Sequence, residues 1–192
     1  MRAIATPLPG VLELEPAAFA DERGWFMESW NRQRFEALLR DQGLPASGEF
    51  VQDNHSASRA GVLRGLHYQL PPRAQGKLVR VVRGAAFDVA VDIRRGSPTF
   101  GRWHGTLLSA DNRRQLWIPV GFAHGFLALE DDTHFLYKTT DYYAKEQERS
   151  IRWDDPAIAI AWPLPAGLTA PLVAPKDAAA PLLANAADLF DQ

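Results

Sequence analysis

Apolar and polar residues alternate along most of the chain from residue 61 onward, and this alternation predicts β-strands. It is clearest in residues 78–83 and 87–93, on either side of a turn at Gly84. A period of two gives each strand two distinct faces. Turn signals at residues 96–99 and 110–112 separate further strands, and those predicted in this part of the chain are 61–69, 102–108, 115–118, 125–129 and 133–138.

Residues outside this block add one helix and several shorter strands. Phe35, Leu38 and Leu39 repeat at helical spacing, so the pattern predicts a helix from Arg32 to Gln42 that ends at Gly43. The tail from Pro163 is rich in Pro and Ala, and we expect it to wrap the surface with a short helix over residues 180–190. The shorter strands predicted are one or two within residues 1–20, then 25–30, 50–55 and 158–162.

Many short strands about ten residues apart are typical of a β-sandwich or barrel. We therefore expect a mostly β jelly roll with a few short peripheral helices. The chain of 192 residues contains no internal repeat and no linker that would divide it. A length of this size suits one domain with a substantial core, and we predict a single domain over residues 1–192.

The composition narrows the class of protein. Hydrophobic residues make up 46% of the chain, which argues against disorder, and the net charge is −2 with Lys and Arg scattered singly, so no basic stripe suggests nucleic acid. There are no cysteines, which excludes disulfides and thiol catalysis. No run approaches the roughly 20 apolar residues of a membrane span, and the first residues lack the apolar core of a signal peptide. We predict a soluble, cytoplasmic protein without a membrane partner.

His67 is the centre of the predicted chemistry. It lies near the end of an apolar strand, between Arg64 and Lys77. A histidine takes up a proton near neutral pH, and fixed cations beside it can hold an anionic substrate or intermediate. This pattern favours a general base among cations.

A metal site is not predicted. Residues 119–125 have the Pro-x-Gly-x-x-His arrangement of the second cupin motif, with His124 as its histidine. The first motif of metal-binding cupins supplies a His-x-His pair, but here the matching stretch is Leu66-His67-Tyr68-Gln69. Three or four ligands are therefore not assembled, and we expect no metal and no cofactor. His55, His104 and His134 are as readily explained by hydrogen-bonded, partly buried rings.

An ordered set of motifs resembles the dTDP-4-dehydrorhamnose 3,5-epimerase family, and the resemblance runs from about residue 4 to residue 183. It implies a metal-free cupin jelly roll (a double-stranded β-helix), a homodimer, and a dTDP-sugar substrate. That substrate would be dTDP-4-dehydro-6-deoxy-D-glucose, epimerised at C3 and C5 on the route to dTDP-L-rhamnose. The motifs are Asp21-Glu-Arg-Gly-Trp-Phe26, Val51-Gln-Asp-Asn-His-Ser56, Leu63-Arg-Gly-Leu-His-Tyr-Gln69, Gly76-Lys-Leu-Val-Arg-Val81, Pro119-Val-Gly-Phe-Ala-His-Gly-Phe126, Tyr137-Lys-Thr-Thr-Asp-Tyr-Tyr143 and Lys176-Asp177.

The resemblance implies a role for each catalytic candidate. His67 would remove the proton beside the ketone, and Asp177 would accept from its other ring nitrogen. Lys77 would stabilise the enolate oxygen, and Tyr137 would return a proton on the opposite face. From the residues alone, Asp177 is more simply a solvated loop carboxylate, Lys77 an exposed strand lysine, and Tyr137 a core tyrosine.

The resemblance also implies a set of substrate-binding residues. The N-terminal strands are expected to cross to a partner subunit and supply three of them, Arg23, Phe26 and Glu28, to its site. The expected set is Arg23 and Arg64 for the phosphates, Glu28, Gln52 and Asn54 for the nucleoside, Phe26 and Tyr143 for stacking on thymine, and His124, Lys176 and Glu148, with Glu146 competing for the last position.

Other interpretations remain open at this point. A 3- or 5-epimerase of a related dTDP-4-keto sugar would use the same base and acid. A non-catalytic cupin that binds a nucleotide sugar and a metal-dependent cupin oxygenase are the alternatives from other classes. Asp154 and Asp155 are predicted to form a structural turn before Pro156.

Overall fold

The computed structural model describes residues 1–191, and within them most of the regular structure is β. The two α-helices are α1 (Arg32–Asp41) and α2 (Pro175–Ala178). The strands are β1 (Arg2–Ala5), β2 (Leu12–Glu15), β3 (Ala18–Asp21), β4 (Gly24–Met27), β5 (Gln52–Ser58), β6 (Val62–Gln69), β7 (Lys77–Arg83), β8 (Ala85–Asp92), β9 (Arg94–Arg95), β10 (Trp103–Ser109), β11 (Gln115–Ile118), β12 (Phe122–Ala128), β13 (Thr133–Thr139), β14 (Glu148–Ser150), β15 (Leu172–Val173) and β16 (Phe190–Asp191).

Two antiparallel sheets face each other and form the predicted jelly roll. The first sheet has the order β1-β2-β11-β7-β13-β5, and the second has the order β10-β8-β12-β6-β14, with β15 added in parallel to β6. Side chains from both sheets meet between them, including Val79 and Phe135 from the first and Ala90 and Phe126 from the second. The rings of Phe126 and Phe135 stack with their centroids 4.0 Å apart. The predicted fold class is confirmed.

The outer face of the first sheet is covered by α1. Phe35 and Leu39 of the helix are fully buried against Leu78 and Trp117. The side chain of Asn31 caps the first turn, and Gly43 follows the helix with a φ of +70°. The helix predicted from the spacing is confirmed, and replacing Phe35 by Ala would cost about 3–5 kcal/mol of stability.

The outer face of the second sheet is covered by the C-terminal segment, which differs from the prediction. Ile158 packs against this face, but residues 158–162 pair with no strand, so the strand predicted there is wrong. Asp155 explains the irregular path, because its buried carboxylate accepts from the backbone N–H groups of Ala157 and Leu183. The turn predicted at Asp154 and Asp155 is confirmed.

The tail carries less helix at its end than predicted, and one helix that was not predicted. In place of the helix expected over residues 180–190, a 3₁₀ turn spans Leu183–Asn185 and β16 pairs with β9. The backbone oxygens of Ala187 and Asp188 accept hydrogen bonds from the side chains of Arg95 and Tyr68, which holds this segment against the second sheet in a non-helical path. Within residues 1–191, no helix is long and apolar enough to cross a membrane.

A hairpin of β3 and β4 projects from the body of the molecule. Its two strands pair only with each other and belong to neither large sheet. Its aromatic side chains are exposed, with Phe26 at 70% of its maximal accessible surface. Burying such a side chain would contribute about 1.5–3 kcal/mol, so the hairpin presents an apolar surface that its own chain leaves uncovered.

Candidate active site

A cavity of about 360 Å³ opens between the two sheets at one end of the jelly roll. It continues into a second space of about 120 Å³, which shares Asn54, His67, Lys77, Tyr137 and Glu148 with the first. Together these spaces are lined by most of the residues that the sequence singled out: Gln52, Asn54, Arg64, His67, Lys77, His124, Tyr137, Tyr143, Glu148, Lys176 and Asp177.

His67 and Asp177 form a hydrogen-bonded pair, with Nε2 of His67 2.7 Å from Oδ1 of Asp177. The carboxylate comes from α2, which follows β15 in the chain. Because β15 pairs in parallel with the first residues of β6, α2 is held beside the beginning of β6. Its other oxygen accepts the backbone N–H of Gly65 at 3.2 Å, and the residue is only 1% exposed.

The hydrogen bond to Asp177 determines which nitrogen of the His67 ring carries the proton. Burial raises the pKa of Asp177, but the hydrogen bond and charge of His67 and the N–H of Gly65 outweigh it, so the pKa of Asp177 is lowered overall. An ionised carboxylate only accepts hydrogen bonds. Nε2 of His67 therefore carries the proton, and Nδ1 is the nitrogen that is free to act as a base.

Lys77 enters the cavity from the opposite sheet, on β7. It is 9% exposed, and its Nζ lies 3.4 Å from the backbone oxygen of His67. Burial lowers the pKa of Lys77 to about 8, while the charges of Asp88 and Glu148 act in the opposite direction. Lys77 is therefore still mostly charged at neutral pH and has little water around it, which suits a donor to a developing oxyanion.

Tyr137 reaches the cavity from β13, in the same sheet as Lys77, and packs beside Phe135. Burial raises the pKa of Tyr137, so its phenol stays protonated at neutral pH. Because His67 belongs to the second sheet and Tyr137 to the first, a base and a protonated acid approach the cavity from opposite sides. This is the arrangement that inversion at a carbon requires.

His124 lies in the floor of the cavity and forms a second histidine–carboxylate pair with Asp88, which does not line the cavity itself. Nε2 of His124 lies 2.9 Å from Oδ2 of Asp88, and both residues are buried. Burial lowers the pKa of His124 despite the charge and hydrogen bond of Asp88, so the ring is neutral. Asp88 was not predicted from the sequence, because a polar residue in an alternating strand is typical of a solvent-facing position.

The mouth of the cavity is a network of polar side chains. Glu148 contacts both Lys176, at 3.2 Å from Nζ, and the hydroxyl of Tyr143, also at 3.2 Å. Gln52 donates to Asn54 at 2.9 Å and accepts the backbone N–H of Tyr143 at 3.0 Å. These groups could hydrogen-bond a nucleoside while the tyrosine ring stacks on its base.

The structure also gives the positions of Arg64 and of the two candidate glutamates, Glu146 and Glu148. Arg64 lines the cavity and donates to Ser58 at 3.2 Å, which leaves guanidinium N–H groups for a phosphate. Of the two glutamates that competed for one position, Glu148 lines the cavity and Glu146 does not.

Three predicted residues lie outside the cavity of their own chain. Arg23 and Phe26 are on the projecting hairpin, where Arg23 pairs with Asp21. Glu28 follows the hairpin and pairs with Arg34. No group of three or more His, Asp or Glu residues within residues 1–191 is placed to hold a metal ion.

Comparison with known proteins points to one family. A family model described as dTDP-4-dehydrorhamnose 3,5-epimerase matches residues 5–185. A relative of that name from Shigella flexneri is 58% identical over 92% of this chain and 93% of its own. Another from Pseudomonas aeruginosa is 56% identical over the same shares.

Solved structures agree with the sequence relatives. A dTDP-6-deoxy-D-glucose-3,5-epimerase from Legionella pneumophila, crystallised with dTDP-4-keto-L-rhamnose, superposes with a TM-score of 0.91 at 50% identity, covering 100% of this chain and 98% of that one. A 3′-monoepimerase from Streptomyces bikiniensis in complex with dTDP-quinovose superposes with a TM-score of 0.82 at 35% identity, covering 94% of this chain and 88% of that one.

Proposed function

The chain belongs to the dTDP-4-dehydrorhamnose 3,5-epimerase family, and from this premise we propose that it inverts C3 and C5 of dTDP-4-dehydro-6-deoxy-D-glucose. The product is dTDP-4-dehydro-L-rhamnose, on the route to dTDP-L-rhamnose. The family predicted from the sequence is confirmed, and the protein is an isomerase. The observation that carries the mechanism is the approach of His67 and Tyr137 from opposite sheets to one cavity.

Each inversion begins with loss of a proton from the carbon beside the C4 ketone. Nδ1 of His67 takes this proton, and the C–H electron pair moves into the carbonyl to give an enolate. The ammonium of Lys77 stabilises the enolate oxygen, a contribution of about 3 kcal/mol for a preorganised donor. Asp177 keeps Nε2 protonated and stabilises the imidazolium that forms.

The reaction is completed from the other face of the sugar. Tyr137 gives its phenolic proton to the carbon, and the enolate collapses back to the ketone with the opposite configuration. The site then holds a protonated His67 and a phenolate at Tyr137, so a proton must pass between them or exchange with water before the second carbon reacts. The raised pKa of Tyr137 favours return of its proton.

The rest of the cavity suits the nucleotide part of the substrate. Arg64 and Lys176 provide positive charge for the diphosphate, and Glu148 orients Lys176. Tyr143 is half exposed at the mouth, where its ring can stack on thymine for roughly 1–3 kcal/mol. His124 contributes a neutral ring to the floor beneath the sugar.

We place the remaining binding residues in a homodimer. The exposed Phe26 and the guanidinium of Arg23 project on a hairpin that its own chain does not cover. β5, at the free edge of the first sheet, carries Gln52 and Asn54 beside the cavity. A hairpin from a second copy that reaches this edge would bring Arg23, Phe26 and Glu28 to the nucleotide. The cytoplasmic location, the single domain over residues 1–192 and independence from cofactors stay predictions.

Turnover of the 4-keto sugar in D₂O tests the proposed function. We expect deuterium at both C3 and C5 of the product, and unchanged turnover after treatment with a chelator. Deuterium at one carbon alone would make the protein a single-site epimerase, as the similarity to a 3′-monoepimerase allows. Binding of the sugar nucleotide without any deuterium incorporation would make it a binding protein.

A further inference from the structure

Asp88 lies in the interior of the jelly roll with no access to solvent. It is on β8, opposite Phe126 of β12, and is 0% exposed. Only one of its oxygens is bonded: Oδ2 accepts from Nε2 of His124 at 2.9 Å, and Oδ1 has no hydrogen-bond partner among the protein groups of residues 1–191. A carboxylate buried with so few partners costs stability.

A second buried carboxylate on the same strand shows what a structural role looks like. Asp92 is also 0% exposed, but its oxygens accept from the backbone and guanidinium of Arg94 and from the hydroxyls of Ser97 and Thr99. This carboxylate is saturated with donors and ties a turn together. Asp88 ties no turn, so packing and local hydrogen bonding do not explain it.

One role for Asp88 comes from its bond to His124. Since the carboxylate accepts, Nε2 of His124 carries the proton, and in the neutral ring Nδ1 has a free lone pair. Nδ1 has no hydrogen-bond partner within residues 1–191, and the ring lines the cavity. His124 therefore offers an acceptor to a hydroxyl of the sugar, and this depends on the tautomer that Asp88 selects.

The other role concerns Lys77, which lines the same cavity as His124, the hydrogen-bond partner of Asp88. The titratable groups around Lys77 are Asp88 on β8, His124 on β12, His67 on β6, Tyr137 on β13 and Glu148 on β14. The two negative charges whose influence favours its ammonium form are Asp88 and Glu148. Glu148 is already bonded to Lys176 at the mouth, whereas Asp88 has an oxygen to spare.

We propose that Asp88 is a positioning residue of the epimerisation: it sets the tautomer of His124 and keeps Lys77 charged, without touching the substrate. The proposal rests on the proposed function, because a charged Lys77 matters only if an enolate forms. It adds a second histidine–carboxylate pair, with a different task, to the pair that contains the base.

The variant Asp88→Asn tests the charge directly, since it keeps the shape and an acceptor for His124. Epimerisation requires the ammonium of Lys77, so kcat/KM should fall as pH rises through the pKa of Lys77. Loss of the nearby negative charge lowers that pKa, and the alkaline limb should move to lower pH by about one pH unit. We expect kcat to fall while KM changes little, because Asp88 makes no contact with the substrate.

Asp92→Asn is the matched control, as a buried carboxylate on the same strand outside the cavity. It should lower the melting temperature and leave the alkaline limb in place. The variant Lys77→Arg shows whether the alkaline fall in kcat/KM comes from Lys77. An arginine stays charged, so this fall should disappear. Adding Asp88→Asn to Lys77→Arg should then leave the pH profile unchanged.

Two results would overturn the proposal. One is an alkaline limb at the wild-type position in folded Asp88→Asn while the wild type epimerises normally. The other needs no variant: ¹⁵N NMR of the wild-type histidine rings should show His124 protonated at Nε2 and bare at Nδ1, and the opposite tautomer would refute the role assigned to Asp88. If the wild type does not epimerise at all, the proposed function fails instead.

Discussion

His67 and His124 lie directly opposite each other on β6 and β12, and each uses Nε2 to contact a buried carboxylate, at 2.7 Å from Asp177 and 2.9 Å from Asp88. They differ in exposure, with 24% of the His67 side chain accessible against 8% for His124. The first ring can therefore meet a substrate proton, whereas the second stays neutral in the floor. Two neighbouring histidines with the same type of partner are thus suited to different tasks because they differ in burial.

Replacing the base should lower turnover sharply and preserve binding. For His67→Asn we expect a loss of about 10²–10⁴-fold in kcat, the range of general acid–base catalysis. Binding of dTDP, measured by calorimetry, should persist because the nucleotide contacts lie at the mouth. His104→Asn is the control, since His104 pairs with Glu13 away from the cavity. Full turnover of His67→Asn would contradict the mechanism.

Removing the acid should separate proton exchange from inversion. In Tyr137→Phe the base still removes a proton, so NMR in D₂O should show deuterium entering the substrate with little inverted product. Tyr142→Phe, at an exposed tyrosine outside the cavity lining, should behave as the wild type. Inverted product at the normal rate from Tyr137→Phe would assign the acid to another group.

The buried Lys77 should leave a signature in stability against pH. Its pKa is about 8 in the folded protein and near the ordinary lysine value of 10.5 when unfolded, so between these values the unfolded chain binds more protons. The free energy of unfolding therefore rises with pH between these two pKa values, and Lys77 contributes about 3 kcal/mol to this rise in total. Urea titrations at several pH values should show that the free energy of unfolding rises less steeply with pH in Lys77→Met than in the wild type. Parallel curves for the two proteins would mean that Lys77 is not desolvated.

Complementation between subunits tests the position of the hairpin. A variant with Arg23→Ala and Phe26→Ala and a variant with His67→Asn should each be nearly inactive alone. Co-expressed, they should form mixed dimers with one complete site, recovering about a quarter of wild-type activity from a random mixture of a twofold-symmetric dimer. No recovery, with mixed dimers confirmed by mass spectrometry, would place the hairpin at the site of its own chain.

The sequence predicted the regular parts of this fold because alternation and helical spacing are local signals. The strands β7 and β8 and the helix α1 begin and end within a few residues of their predicted limits. The segment 158–162 has the same apolar character, yet it packs without pairing its backbone. A local pattern reports burial in both cases and cannot tell a strand from an irregular segment that covers a sheet.

The residues of the candidate site were predictable only where they lie in a motif of the family. Asp177 is 110 positions from His67 along the chain, and spacing alone favoured a solvated carboxylate. Its burial depends on β15 joining β6, a long-range pairing without a local signal. Asp88 was not predicted because both faces of β8 are buried. A polar residue in the alternation of this strand therefore does not mark a solvent-facing position.

Gly65 limits how this active site could be redesigned. Its φ is +134°, and a Cβ there would lie 2.5 Å from the Cα of Gly125 and 2.9 Å from the backbone oxygen of His124. Any side chain would push β6 away from β12 and pull its N–H from Asp177. Engineering for a different nucleotide should therefore start at the rim, where Tyr143 and Lys176 have room, since the two strands that carry the histidines tolerate no added atom between them.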